Sequence, residues 1–108
     1  MLSLNSSCAP EPCPAPFNLA RHVLAVAADR PDHIALLVVR PGGAERWSYG
    51  RLAAAVRGVA SGLAEAGLAP GDRVLLRLGN GVAFPLAFLG AVAGGFVPVP
   101  TPAGLTAE

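Results

Sequence analysis

RVLLRLGNGVAFPLAFLGAVAGGFVPV, residues 73–99, is the stretch whose reading decides the fold. Arg73 to Leu78 reads as a strand after the turn at Ala69-Pro70-Gly71-Asp72. Gly79-Asn80-Gly81 makes a turn, and Asn80 is of the type that caps a helix, here predicted from about Gly81 to Gly94. Gly95 breaks that helix, and Phe96 to Val99 reads as a strand before Pro100. Strand, apolar helix and strand in that order form a βαβ unit, whose strands are parallel and whose crossover is right-handed. The helix inside it is unusual. Val82, Phe84, Leu86, Phe88, Leu89 and Val92 spread around its whole circumference, and a helix apolar on every side must be covered on every side. If half of these six side chains stayed wet, roughly 5–9 kcal/mol would be lost at about 1.5–3 kcal/mol each. A small domain has only about 5–15 kcal/mol of stability in total. The expectation is a portion of a larger body, incomplete on its own.

Upstream, a helix is expected from Phe17 onward. Asn18 is its N-cap, and Leu19, Val23, Leu24 and Ala27 recur at helical spacing. Asp29-Arg30-Pro31-Asp32 ends it, because proline biases the residue before it away from helix. Ile34 to Val39 is a strand, Pro41-Gly42-Gly43 a turn, and Arg46-Trp47 the start of a return strand, giving a hairpin. Ser48 caps the next helix, whose stripe is Leu52, Val56, Val59, Ala60 and Leu63, with Arg51, Arg57 and Glu65 facing water. Gly67 is placed for the left-handed position after it. Ala69-Pro70-Gly71-Asp72 then turns the chain into Arg73.

Composition narrows the chemistry. The 108 residues carry a formal charge of +1, so no basic field attracts nucleic acid. All eight cations are arginine, which excludes any step needing a lysine ammonium within these residues. Apolar residues make up 53% and charged residues 14%, against about 45–50% and about 25% in ordinary domains. Residues 1–16, with four prolines and no apolar core or basic start, read as a disordered leader rather than a secretory signal. The expected organisation is therefore a leader at 1–16 and one segment at 17–108, located in the cytoplasm.

Each candidate site residue has a plain structural reading. Cys8 and Cys13 fit no zinc spacing and read as reduced thiols. His22 and His33 lack partners at ligand spacing. Trp47 and Tyr49 read as packing anchors, and Asp72 as a turn cap. Gly79-Asn80-Gly81 falls short of a nucleotide loop, because Phe84 occupies the third glycine position. Gly90 with Gly94-Gly95 reads as letting the helix lie close to a sheet. A membrane helix over residues 78–100 is opposed by Pro85, Pro98 and Pro100, which leave about a dozen unbroken residues where about 20 are needed. No residue is assigned a catalytic, cofactor-binding or metal-binding role.

Five motifs stand in a set order: Pro31-Asp32-His33-Ile34-Ala35-Leu36; Ser48-Tyr49-Gly50-Arg51-Leu52; the amphipathic helix; Gly67-Leu68-Ala69-Pro70-Gly71-Asp72-Arg73-Val74; and Phe88-Leu89-Gly90 through Gly95 to Pro98 and Pro100. Together they resemble the opening of the AMP-forming acyl-CoA synthetase and ligase superfamily. The resemblance runs from Phe17 to Glu108 and implies an α/β fold: the N-terminal portion of an adenylate-forming enzyme's large domain, ordered helix, hairpin, helix and βαβ unit. Phe17-Asn18, Phe84 to Ala91 and Val97-Pro98-Val99 resemble the benzoate-CoA ligase branch, although no asparagine stands at Thr101-Pro102 as is usual there.

The resemblance also implies ATP, Mg2+ and CoA as cofactors of the intact enzyme, with none bound by this segment. The family's phosphate loop with its lysine, its adenine and ribose motifs and its mobile C-terminal domain are all expected downstream. The segment is accordingly expected to be inactive alone, with the remainder of the enzyme as its partner. Rival readings are an interaction module docking on a separately encoded remainder, and a small membrane protein.

Overall fold

In the computed structural model, residues 16–102 are described. Almost all of the expected leader, both cysteines and residues 103–108 lie outside them. The elements run α1 (Leu19–Leu24), α2 (Val26–Asp29), β1 (Ile34–Arg40), β2 (Gly43–Ser48), α3 (Tyr49–Glu65), β3 (Arg73–Leu76), α4 (Ala83–Ala93) and β4 (Val97–Pro100). The order is the expected one, except that the single leading helix is broken at Ala25 into α1 and α2. The strands form two separate pairs, β1–β2 antiparallel and β3–β4 parallel.

Local chemistry explains most boundaries. Asn18 caps α1 by accepting from the Arg21 N–H at 3.1 Å, and its amide also donates to the Val92 carbonyl of α4 at 2.8 Å. One side chain thus starts a helix and ties it to another 74 residues away. Replacing Asn18 by alanine should cost about 1–2 kcal/mol, combining cap loss with loss of the bond to the Val92 carbonyl, which keeps the Gly95 N–H as a donor at 3.0 Å. Urea unfolding followed by circular dichroism checks this. Ser48 caps α3 by accepting from the Arg51 N–H at 3.2 Å. At its other end Gly67, at φ +107°, lets Leu68 N–H reach back to the Leu63 carbonyl at 3.3 Å, which occupies carbonyls a helix end would leave orphaned.

Three boundaries differ from the sequence reading. β2 begins at Gly43 rather than Arg46, because the turn is tight enough for Arg40 and Gly43 to pair. β3 ends at Leu76 rather than Leu78. Thr101 closes the ladder there, its N–H and hydroxyl both donating to the Leu76 carbonyl, at 2.8 and 3.0 Å. Asn80 does not cap α4; Val82 takes that position with no side-chain bond. The intervening turn consumes Gly81, so the asparagine sits too far back to reach the first free N–H groups.

Trp47, Leu52 and Val56 form the core cluster, with Leu24, Leu36, Val82, Leu86 and Leu89 against it. α3 behaves as its pattern predicts: Leu52 and Val56 are buried, Val59, Ala60 and Leu63 half-buried, and Arg51, Arg57 and Glu65 exposed. In α4 only Gly90 and Ala91 are buried, and the six large apolar side chains of residues 82–92 are each half-buried. Gly90 corrects the sequence reading. It faces α3 rather than a sheet, and an added methyl would lie 2.6 Å from Val59 Cβ. Among the described residues no helix is long and apolar enough to cross a membrane; α4 has 11 residues.

Candidate functional site

An open groove of about 720 Å³ lies between α1–α2 and α3. Small side chains make its floor, including Ala20, Ala53 and Ala60, because α1 and α3 both place alanine on the facing sides. Its polar lining consists of Asn18, Arg21, Arg57 and Ser61. Among the described residues no carboxylate, histidine or cysteine lines it, so these offer neither a general base nor a seat for a cation. A smaller cleft of about 360 Å³ opens at the carboxyl ends of β3 and β4, between Asn80, Phe84 and Thr101. Parallel α/β sheets carry ligands at that end, but here the Thr101 hydroxyl is committed to the Leu76 carbonyl.

The densest polar constellation lies on β2 and the start of α3. Arg40 pairs with Glu45 at 2.9 Å. The other oxygen of Glu45 accepts from Trp47 Nε1 at 2.8 Å, and the Arg51 guanidinium stacks 3.7 Å from the centre of the Trp47 ring. These contacts hold the indole in place from its edge and its face. They form a clamp on a core residue, since each charged group in it already has a partner within the chain.

The residues singled out in the sequence are not brought together. His22 is exposed on α1 with its ring 5.4 Å from that of Phe17, and His33 is exposed in the turn before β1. Asp72 accepts from the Ala69 N–H at 2.8 Å and holds the turn, as read. Trp47 is 8% exposed and Tyr49 half-buried, so both are packed. Gly79-Asn80-Gly81 is a plain turn into α4. Among the described residues no three His, Cys, Asp or Glu side chains are grouped as a metal site would need. Sequence reasoning missed the Asn18–Val92 bond and the alanine groove; the groove's signal was the run of alanines on both helices.

Comparison with known structures defines the class. The chain superposes on acetoacetyl-CoA synthetase from Streptomyces lividans with a TM-score of 0.77 and 33% identity, covering 81% of this chain and 14% of that one. It superposes on a benzoate CoA ligase from Burkholderia xenovorans with a TM-score of 0.72 and 36% identity, covering 83% and 18% respectively. The fold is the N-terminal part of the large domain of adenylate-forming enzymes. The profile of the AMP-binding enzyme family matches residues 23–108, and the chain belongs to that family. A curated relative, pyochelin synthase PchD of Pseudomonas aeruginosa, is 45% identical over 67 residues, which are 62% of this chain and 12% of the relative. The chain thus spans between about one-eighth and one-fifth of the length of these proteins.

Proposed function

We propose that this chain is the opening scaffold of an adenylate-forming acyl-CoA ligase working in the cytoplasm, and that its own side chains carry no step of the chemistry. The match of residues 23–108 to the AMP-binding enzyme family carries this reading. In the intact enzyme a carboxylate oxygen attacks the α-phosphorus of ATP and pyrophosphate leaves. The thiolate of CoA then attacks the acyl carbon and AMP leaves. The groove has no carboxylate to hold Mg2+ and the chain has no lysine to offset phosphate charge, so ATP, Mg2+ and CoA are assigned to the remainder of the enzyme. A benzoate-like acid is the proposed substrate. Support comes from Phe84 to Ala91 with Val97-Pro98-Val99 and from the 36% identity to a benzoate CoA ligase.

The 108-residue chain alone should give no ATP–pyrophosphate exchange with benzoate, acetate or a long-chain acid. Exchange by the isolated chain refutes the scaffold reading. Continuing the coding sequence past codon 108 and expressing the product tests the rest. A glycine-rich loop with its lysine, and exchange faster with benzoate than with acetate, are expected; faster exchange with acetate removes the aromatic assignment.

A further inference from the structure

We propose that the groove between α1–α2 and α3 is the seat of this chain's own leader, with Glu11 held between Arg21 and Arg57. The leader, residues 1–15, lies outside the described residues, and its contact with the groove is independent of the chemistry proposed above.

The described chain begins at the rim of the groove. Asn18 is part of the lining, and its amide bond to the Val92 carbonyl fixes that end against α4. Phe17, just before the cap, packs on His22 of the first turn of α1, with ring centroids 5.4 Å apart. A contact between these two positions sets the angle at which a chain enters its helix. The leader is thereby delivered to one end of the groove. Along α3 the lining runs from Gly50 to Ser61, roughly 16 Å at about 1.5 Å per residue. About five residues of extended chain, at about 3.1 Å each, fill that length, so the leader is long enough to turn back beside α1 and lie along it. A tether this short presents the leader at an effective concentration on the order of millimolar, and a weak contact then suffices to hold it.

Groove and leader are complementary in charge and in backbone chemistry. Arg21 on α1 and Arg57 on α3 stand on opposite walls, and no carboxylate lines the groove among the described residues. Neither arginine has an acidic partner there, since the one ion pair among those residues joins Arg40 to Glu45. The one charged side chain of residues 1–15 is Glu11. Residues 14–17 are enough for the reversal, which brings Glu11 beside the first turn of α1, where Arg21 stands. Between the arginines the floor is made by Ala20, Ala53 and Ala60. Such a floor has no side-chain acceptor, and a segment laid on it must not strand backbone N–H groups there. Proline stands at 10, 12, 14 and 16, so every second residue of the docking stretch has no N–H to strand. Proline also fixes φ at about −65°, which lowers the ordering cost of docking.

The test attaches a nitroxide to Cys8 in the Cys13→Ser chain and measures amide line broadening residue by residue. The amides of Ala53 and Ala60 should broaden at least threefold more than that of Val39 on the hairpin. Glu11→Lys should cut that broadening at least threefold, and adding Arg21→Glu and Arg57→Glu to Glu11→Lys should restore it. Arg21 and Arg57 are exposed, so the exchange of charges leaves the core intact. Equal broadening of groove and hairpin, broadening undiminished by Glu11→Lys, or no recovery on charge exchange would each overturn the proposal. Nitroxide-bearing chains mixed with isotope-labelled chains that carry none should leave the groove amides sharp. Broadening in that mixture would mean that a second copy's leader fills the groove, and would overturn the intramolecular contact. Decanoate, an apolar tail with a carboxylate, should shift the Ala53 and Ala60 amides less with residues 1–15 present than with them deleted. Equal shifts in the two chains would assign the groove to a free carboxylate instead.

Discussion

Gly90→Leu should cost the α3–α4 interface about 3 kcal/mol or more, at the upper end of what overpacking does. Gly90 is buried against α3, and a Cβ there would lie 2.6 Å from Val59 Cβ and 3.4 Å from the Val56 carbonyl oxygen. Valine is branched at Cβ and rigid in a helix, so Val59 has no alternative rotamer to retreat into. The helices must part instead, and core contacts of Val82, Leu86 and Leu89 are lost with them. Gly90→Ala is the graded case. Alanine favours helix over glycine by about 1 kcal/mol, which offsets part of a clash worth about 1–3 kcal/mol. Combining Gly90→Ala with Val59→Ala should recover part of the clash, since it removes the Val59 Cγ1 that meets the new methyl while the Cβ at 2.6 Å remains. Urea unfolding of the four species, read as a double-mutant cycle, checks this. A coupling near zero would mean that Gly90 is not the point of closest approach.

How much of this was legible in the sequence depends on distance along the chain. The caps at Asn18 and Ser48, the left-handed Gly67, the turn clasp of Asp72 and the stripe of α3 were all readable. Each is settled by residues within one or two helical turns. The βαβ order was readable for the same reason, because periodicity switches at Gly79 and Gly95. What Gly90 touches was not readable. A small residue in an apolar helix signals close approach but does not say to what, and α3 rather than a sheet is the answer. Asn80 failed as a cap because a tight turn shifts the helix start by residues that propensity alone cannot count.

The candidate site follows the same logic. The lack of lysine was read directly from the sequence. The scattered positions of His22, His33 and Asp72 required coordinates, since residues far apart in sequence can meet in a fold. They do not meet here. The alanine groove is invisible to a motif search because concavity is a property of two helices together. Family membership was carried by five weak motifs in order, and the profile match over residues 23–108 agrees with it.

Trp47→Ala should be the most destabilising single truncation, by about 3–5 kcal/mol. Trp47 is the one tryptophan of the chain, 8% exposed, and it forms the core cluster with Leu52 and Val56. Removing it opens a void where hairpin and α3 meet, because Leu36 sits opposite in the strand register and cannot fill an indole's volume. Trp47→Phe separates packing from polar anchoring. Most of the aromatic bulk remains, but Glu45 loses the indole N–H that it accepts at 2.8 Å, and Arg51 loses the better of two ring faces. Glu45 keeps Arg40 as a partner and is not fully buried, so the expected cost is about 1–2 kcal/mol. Circular dichroism must follow both variants, since the fluorescent reporter is the residue removed. Equal losses for alanine and phenylalanine would mean that the indole N–H, rather than its volume, holds the hairpin on α3. A loss below about 1 kcal/mol for Trp47→Ala would mean that the hairpin contributes little to the core, and the stability of the chain would then lie in the contact of α3 with α4.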